Sequence, residues 1–213
     1  MAKRDPNRKQ AILEGLAREL EHNPGARVTT ARLAKAVGVS EAALYRHFPS
    51  KARMFEGLIE FAEQSIFARI NQLLEDEKQA EARCQAMLFL LLGFAERNPG
   101  ITRVLLGDAL VGEHERLVAR VGQFFNRVET QFRQILRETA LRGERLAGVT
   151  PETGASLLSR YVEGSMHQFL RSRFQRSPLD DLDAQWTALA GMLFGFPRGV
   201  VAGAGMSSVP REE

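Results

Sequence analysis

An all-α fold is what this 213-residue sequence predicts, on three observations. Apolar residues recur every three or four positions along nearly every segment, which is the spacing of one helix face. Strand-like alternation never lasts more than a few residues. Breakers cluster at intervals, at EHNPG (Glu21–Gly25), at NPG (Asn98–Gly100) and around Gly143 and Gly148, where a helical hydrogen-bond ladder cannot continue.

The elements follow in order. Ile12, Leu13, Leu16 and Leu20 form one stripe on a helix from Pro6 to Leu20. A short helix spans Thr30 to Val37 and stops at Gly38. Ser40 is a good N-cap for another, which runs through Phe48 and ends at Pro49. Lys51 to about Glu77 is a long helix that buries Met54, Phe55, Leu58, Phe61, Ala62, Ile66, Ile70, Leu73 and Leu74. Ala80 to Arg97 is apolar on more than one side and so belongs at the centre of the core. After NPG comes a short helix to about Leu106. Glu113–Leu141 is amphipathic, with Leu117, Val121, Phe124, Phe125, Val128, Phe132, Ile135 and Leu136 inward. Pro151, favoured in a first helical turn, opens a helix to about Phe174. The last helix starts near Asp180 or Asp183 and includes Trp186, Leu189, Met192 and Leu193. Beyond Gly195 the chain is rich in Gly, Pro and Ser without periodicity, so residues 195–213 are expected to be a disordered tail.

Composition excludes several classes. The chain is 44% hydrophobic and 26% charged, ample for a buried core. A single cysteine, Cys84, rules out a disulfide scaffold and a thiolate metal site built by this chain alone. It lies on an apolar stripe, where a thiol is buried and inert. The four histidines (His22, His47, His114, His167) show neither metal-ligand spacing nor a paired nucleophile. No enzyme and no cofactor is therefore expected. The N-terminal MAKRDPNRKQ lacks an apolar run behind its basic residues, so no signal peptide is expected. The longest apolar stretch, Ala86–Phe94, is about half the ~20 residues of a membrane span. These features suit a soluble, reduced, intracellular protein.

Charge is unevenly placed. Residues 1–53 hold eleven Lys/Arg against five Asp/Glu, and the remainder eighteen against twenty-one. A basic first quarter on a mildly acidic body suits a module that meets a polyanion; it also suits a solvated basic face with no partner. The stretch TTARLAKAVGVSEAALYRHF (Thr29–Phe48) adds to the charge argument. Ala34 is small where two helices must cross, and Gly38 suits a turn of positive φ. Leu33, Val37, Val39, Leu44 and Phe48 are spaced to fill the small core between those helices. This is the helix-turn-helix pattern, whose second helix enters a DNA major groove.

With Leu44 and Phe48 inward, Ala42, Ala43, Tyr45, Arg46 and His47 are left to face outward or flank. The alanines allow close approach to base edges, and their methyls suit thymine methyls. Tyr45, His47 and Lys51 suit phosphate oxygens, as do Thr29 and Thr30. Ser40 completes the candidate DNA-facing set. Glu41 is read as complementing the positive end of its own helix rather than touching DNA.

A helix, then this motif continued as YRHFPSKARMF (Tyr45–Phe55), then a long helical body, resembles a TetR-type regulator. LLLGFAERNPGITRVLLGDAL (Leu90–Leu110) is similar to the nucleoid occlusion branch of that family. The resemblance runs from about Arg8 to Met192. It implies a helix-turn-helix DNA-binding domain over residues 1–53, a dimerisation and partner-binding domain over 54–194, and a cytoplasmic, nucleoid-associated homodimer on near-palindromic DNA. Leu157, Leu158, Tyr161, Val162, Met166, Phe169 and Leu170, with Gly164 and Ser165, suit a helix that pairs with its twin, or one that lies in its own subunit's core.

Most TetR-type regulators bind a small molecule in the body, so a ligand-responsive repressor is the alternative expectation. The nucleoid occlusion branch instead implies binding of the C-terminal tail of FtsZ, the tubulin-like division protein, and antagonism of Z-ring assembly over the chromosome. Leu90, Gly93 and Arg97 share one helix face. Phe61 and Arg69 lie two turns apart on the preceding helix. With Asn98 they describe an apolar trough edged by guanidinium groups, suited to a peptide with apolar anchors and carboxylates. Gly93 costs its helix about 1 kcal/mol relative to Ala. An approaching partner backbone explains that cost, and so does a neighbouring helix of the same subunit. The resemblance is what selects these six residues as the FtsZ site.

Overall fold

The computed structural model describes residues 6–25, 27–141 and 146–195. The expected tail beyond Gly195, and Gly143, lie outside the described residues. Among the described residues there are nine α-helices and no strand. They are α1 (Pro6–His22), α2 (Thr30–Val37), α3 (Glu41–His47), α4 (Lys51–Asp76), α5 (Ala80–Arg97), α6 (Pro99–Leu105), α7 (Glu115–Leu141), α8 (Pro151–Arg171) and α9 (Leu182–Phe194).

Local signals set most of the boundaries. Thr29, Ser40, Ser50 and Thr150 each cap a helix, accepting a hydrogen bond from the backbone N–H three residues on. Gly38 ends α2 at φ 70°, a left-handed conformation that costs glycine little. Its N–H donates to Ala34 O and Lys35 O, and Val39 N–H donates to Ala34 O.

Two expectations need correction. α8 stops at Arg171 rather than near Phe174, because Arg173 and Phe174 turn to φ 53° and 64°. Phe174 N–H donates to Phe169 O at 2.9 Å, and its ring settles on that of Phe169, with centroids 5.1 Å apart. α7 starts at Glu115, two residues late, after a 3-10 turn over Asp108–Leu110 that the sequence did not suggest. Burial differs at the margins too. Phe61, Leu73, Leu74 and Phe125 are only half-buried, whereas Ile59 and Phe67 belong to the core.

α1, α2 and α3 form the N-terminal head, and α4 runs on from it into the body without a break. In the body α7 packs on α8, and α5 lies against α4, α7 and α8. Met87, Leu88, Leu91 and Leu92 make α5 the centre of the core, as its apolar faces predict. Cys84 is fully buried, and burial pushes its thiol far above the usual range, so it is inert.

The head is fastened to the body chiefly where α1 meets α6. Gly100 sits so close to α1 that a Cβ there would lie 1.9 Å from Ala17 O. Arg103 is 2% exposed; its Nη1 donates to Leu20 O at 2.7 Å and to Asn23 O at 3.0 Å, and its Nε donates to Asp108 Oδ2 at 2.5 Å. One guanidinium thus satisfies carbonyls at the end of α1 and fixes the 3-10 turn.

Candidate nucleic-acid interface and peptide groove

The two short helices of the head stand as their spacing predicts. Leu33, Ala34, Leu44 and Phe48 are buried between them and α1, with Val37 and Val39 half-buried. On the opposite side of α3, Ala42, Tyr45 and Arg46 are exposed and Ala43 and His47 half-exposed. The outer surface of α3 therefore presents small methyls flanked by a phenol, a guanidinium and an imidazole.

The serine and threonine hydroxyls of the candidate set already have local partners. Thr29 Oγ1 accepts from Arg32 N–H, and Ser40 Oγ accepts from Ala43 N–H. Thr30 donates to Glu41 Oε2 at 2.7 Å, which ties the start of α2 to the start of α3. Glu41 sits in the first turn of α3, where a carboxylate favours the helix dipole, and in addition holds Thr30. Lys51 Nζ, at the start of α4, is 2.5 Å from Glu113 Oε1, a body residue that sequence reasoning missed.

Below the head, Phe61 and Arg69 of α4 and Leu90 and Arg97 of α5 line one cavity of about 190 Å³ with Asn98. Ser65, Ile66 and Phe94 complete the lining. Their spacing was the available clue: Ser65 follows Phe61 by four residues, and Phe94 follows Leu90 by four. Gly93 is buried beneath the Arg97 guanidinium, since a Cβ there would lie 3.2 Å from Arg97 Nη1. The missing side chain gives the arginine head room to fold across α5, an explanation the sequence reading did not contain. A second cavity of about 360 Å³ shares Phe61, Arg97 and Asn98 and continues to Leu13, Ala17 and Arg18 of α1. Arg97 stands between the two.

No helix among the described residues is long and apolar enough to cross a membrane, and no group of His, Cys, Asp or Glu among them could hold a metal ion.

Comparison with known proteins agrees with this geometry. Residues 12–58 match the model described as bacterial regulatory proteins, tetR family, and residues 78–193 match the SlmA-like, tetracyclin repressor-like C-terminal domain. Solved structures agree on the fold at low identity. The fatty acid degradation regulator FadR from Bacillus halodurans has a TM-score of 0.76 at 11% identity, over 89% of this chain and 97% of that one. A TetR transcription regulator from Haloarcula marismortui has a TM-score of 0.74 at 19%, over 89% of this chain and 100% of that one.

Sequence relatives narrow the class. The nucleoid occlusion factor SlmA of Idiomarina loihiensis is 54% identical over 91% of this chain and 98% of its own length. That of a Shewanella species is 58% identical over 84% of this chain and 91% of its own. The chain belongs to the TetR family and, within it, to the SlmA nucleoid occlusion factors.

Proposed function

We propose that this nucleoid occlusion factor acts as a homodimer that binds near-palindromic DNA through α3 and captures the FtsZ C-terminal tail between α4 and α5. It works in the cytoplasm on the nucleoid, without catalysis. Residues 1–53 serve as the DNA-binding part and 54–194 as the dimerisation and partner-binding part. Ala42 and Ala43 approach base edges; Thr29, Thr30, Ser40, Tyr45, Arg46, His47 and Lys51 serve the flanking and phosphate contacts.

The observation that carries the peptide reading is the convergence of Phe61, Arg69, Leu90, Arg97 and Asn98 on one cavity. Apolar walls take apolar side chains of a short peptide, and the two exposed guanidiniums at the edge take its carboxylates. Dimerisation is supported by α8 and α9. Leu158, Val162, Met166 and Phe169 serve the protomer's own core, but Leu157, Tyr161 and Leu170 are only half-buried, and Met192 is 42% exposed. A Cβ on Gly164 would meet nothing within 4 Å, which leaves room for a second helix. Dimers on neighbouring DNA sites would then present several troughs together and strengthen capture by avidity.

The test is Arg97→Asp. Affinity for an FtsZ-tail peptide, read by fluorescence anisotropy, is expected to fall more than tenfold, since a charge-assisted hydrogen bond worth roughly 1.5–3 kcal/mol is lost and a like-charge repulsion takes its place. DNA affinity and helix content should hold. Undiminished peptide binding would overturn the groove assignment. For the DNA reading, log affinity should fall linearly with log salt at a slope of about −0.9 per phosphate neutralised. A flat salt series would remove α3 and its basic surround from the interface.

A further inference from the structure

We propose that Glu113 is a latch that stands in for a DNA phosphate in the free protein. It precedes α7, on the loop after the 3-10 turn, and its side chain is only 9% exposed. Its Oε1 lies 2.5 Å from Lys51 Nζ and 3.7 Å from Arg27 Nε, while Arg27 Nη2 donates to Gly112 O at 3.5 Å. A body loop thus engages two cations of the basic head. Lys51 is drawn inward, with 19% of its side chain exposed, although it opens α4 beside the candidate DNA face.

Carboxylate and phosphate oxygens offer an ammonium the same kind of charge-assisted acceptor. An arriving phosphate therefore competes with Glu113 for Lys51. When DNA binds, Lys51 exchanges one anion for the other, and Glu113 retains Arg27. Free and bound states then differ in what holds the loop over residues 111–114 to the head. Part of the phosphate's binding energy goes into breaking an internal ion pair. This proposal rests on the DNA-facing reading of Lys51.

Three variants test it in salt-titrated DNA binding with the full-length protein. Glu113→Gln is expected to tighten DNA binding roughly three- to tenfold at low salt. Its log–log salt slope should stay that of the wild type, since Lys51 neutralises the same phosphate in both complexes. Glu113→Asp keeps the charge but shortens the arm by one methylene, so it should tighten binding in the same direction by a smaller factor. General repulsion between Glu113 and DNA would leave Glu113→Asp at the wild-type affinity, and that result overturns the latch. In a Lys51→Gln background, Glu113→Gln should bring no gain. If Lys51→Gln weakens DNA binding but neither Glu113 variant strengthens it, the latch is wrong and the DNA face stands. If Lys51→Gln changes nothing, the assignment of Lys51 to DNA fails and takes the latch with it. Far-UV circular dichroism confirms that each variant is folded.

Discussion

Arg103→Met should lower the melting temperature by roughly 6–12 °C, with helix content unchanged below the transition. The side chain is 2% exposed, and methionine fills most of its length without replacing any of its hydrogen bonds. Asp108, 37% exposed, returns to water and contributes little to the loss. The cost falls on Leu20 O and Asn23 O, which Arg103 satisfies at 2.7 and 3.0 Å and which end α1 where water reaches poorly. Two under-satisfied carbonyls together cost about 3 kcal/mol.

The same change should weaken DNA binding, because the end of α1 is what ties the head to the body. A head held less firmly loses more freedom on reaching DNA. Arg103→Lys keeps the charge but not the fork that spans three acceptors, so it should fall between wild type and Arg103→Met. A melting point within 2 °C of wild type for Arg103→Met, by calorimetry, would mean that the seam does not depend on this residue.

Arg103 also marks the limit of what the sequence discloses. The boundaries of α2, α3 and α5 were legible because their signals are local: an N-cap, a glycine stop, an apolar period. The groove residues Phe61, Arg69, Leu90, Arg97 and Asn98 were legible through family resemblance; their spacing alone placed them on helix faces without choosing among packing roles. Lys51 with Glu113 and Arg103 with Leu20 were not legible, since 62 and 83 residues separate the partners. A lone arginine in ITRVLL reads as a surface charge until α6 proves to be buried from Gly100 to Leu105. The early end of α8 has the same origin: a tertiary contact, Phe174 on Phe169, overrides a sequence that could have continued the helix. Local chemistry set the elements, and distant pairs set how they meet.

Gly100→Ala tests the closest of those meetings. A Cβ at Gly100 would stand 1.9 Å from Ala17 O, 2.8 Å from Ala17 C and 3.2 Å from Ala17 Cα. All three are backbone atoms of α1, so no rotamer change relieves the clash and one helix must move. Helix propensity alone would make the substitution stabilising by up to about 1 kcal/mol. Overpacking against a rigid backbone outweighs it, and a net loss of about 2 kcal/mol is expected, or roughly 4–8 °C in melting temperature. Displacement of α1 from α6 also moves Leu13 and Ala17 away from Arg97 and Asn98, which line the second cavity, so that cavity should widen as stability falls. Gly122→Ala is the control. Gly122 is exposed within α7, where an added Cβ meets nothing within 4 Å, so propensity acts alone and stability should rise by about 0.5–1 kcal/mol. Opposite signs for the two alanines, measured by denaturant unfolding, would locate the constraint in the α1–α6 contact rather than in glycine as such; a gain at Gly100 would show that the head can slide on the body.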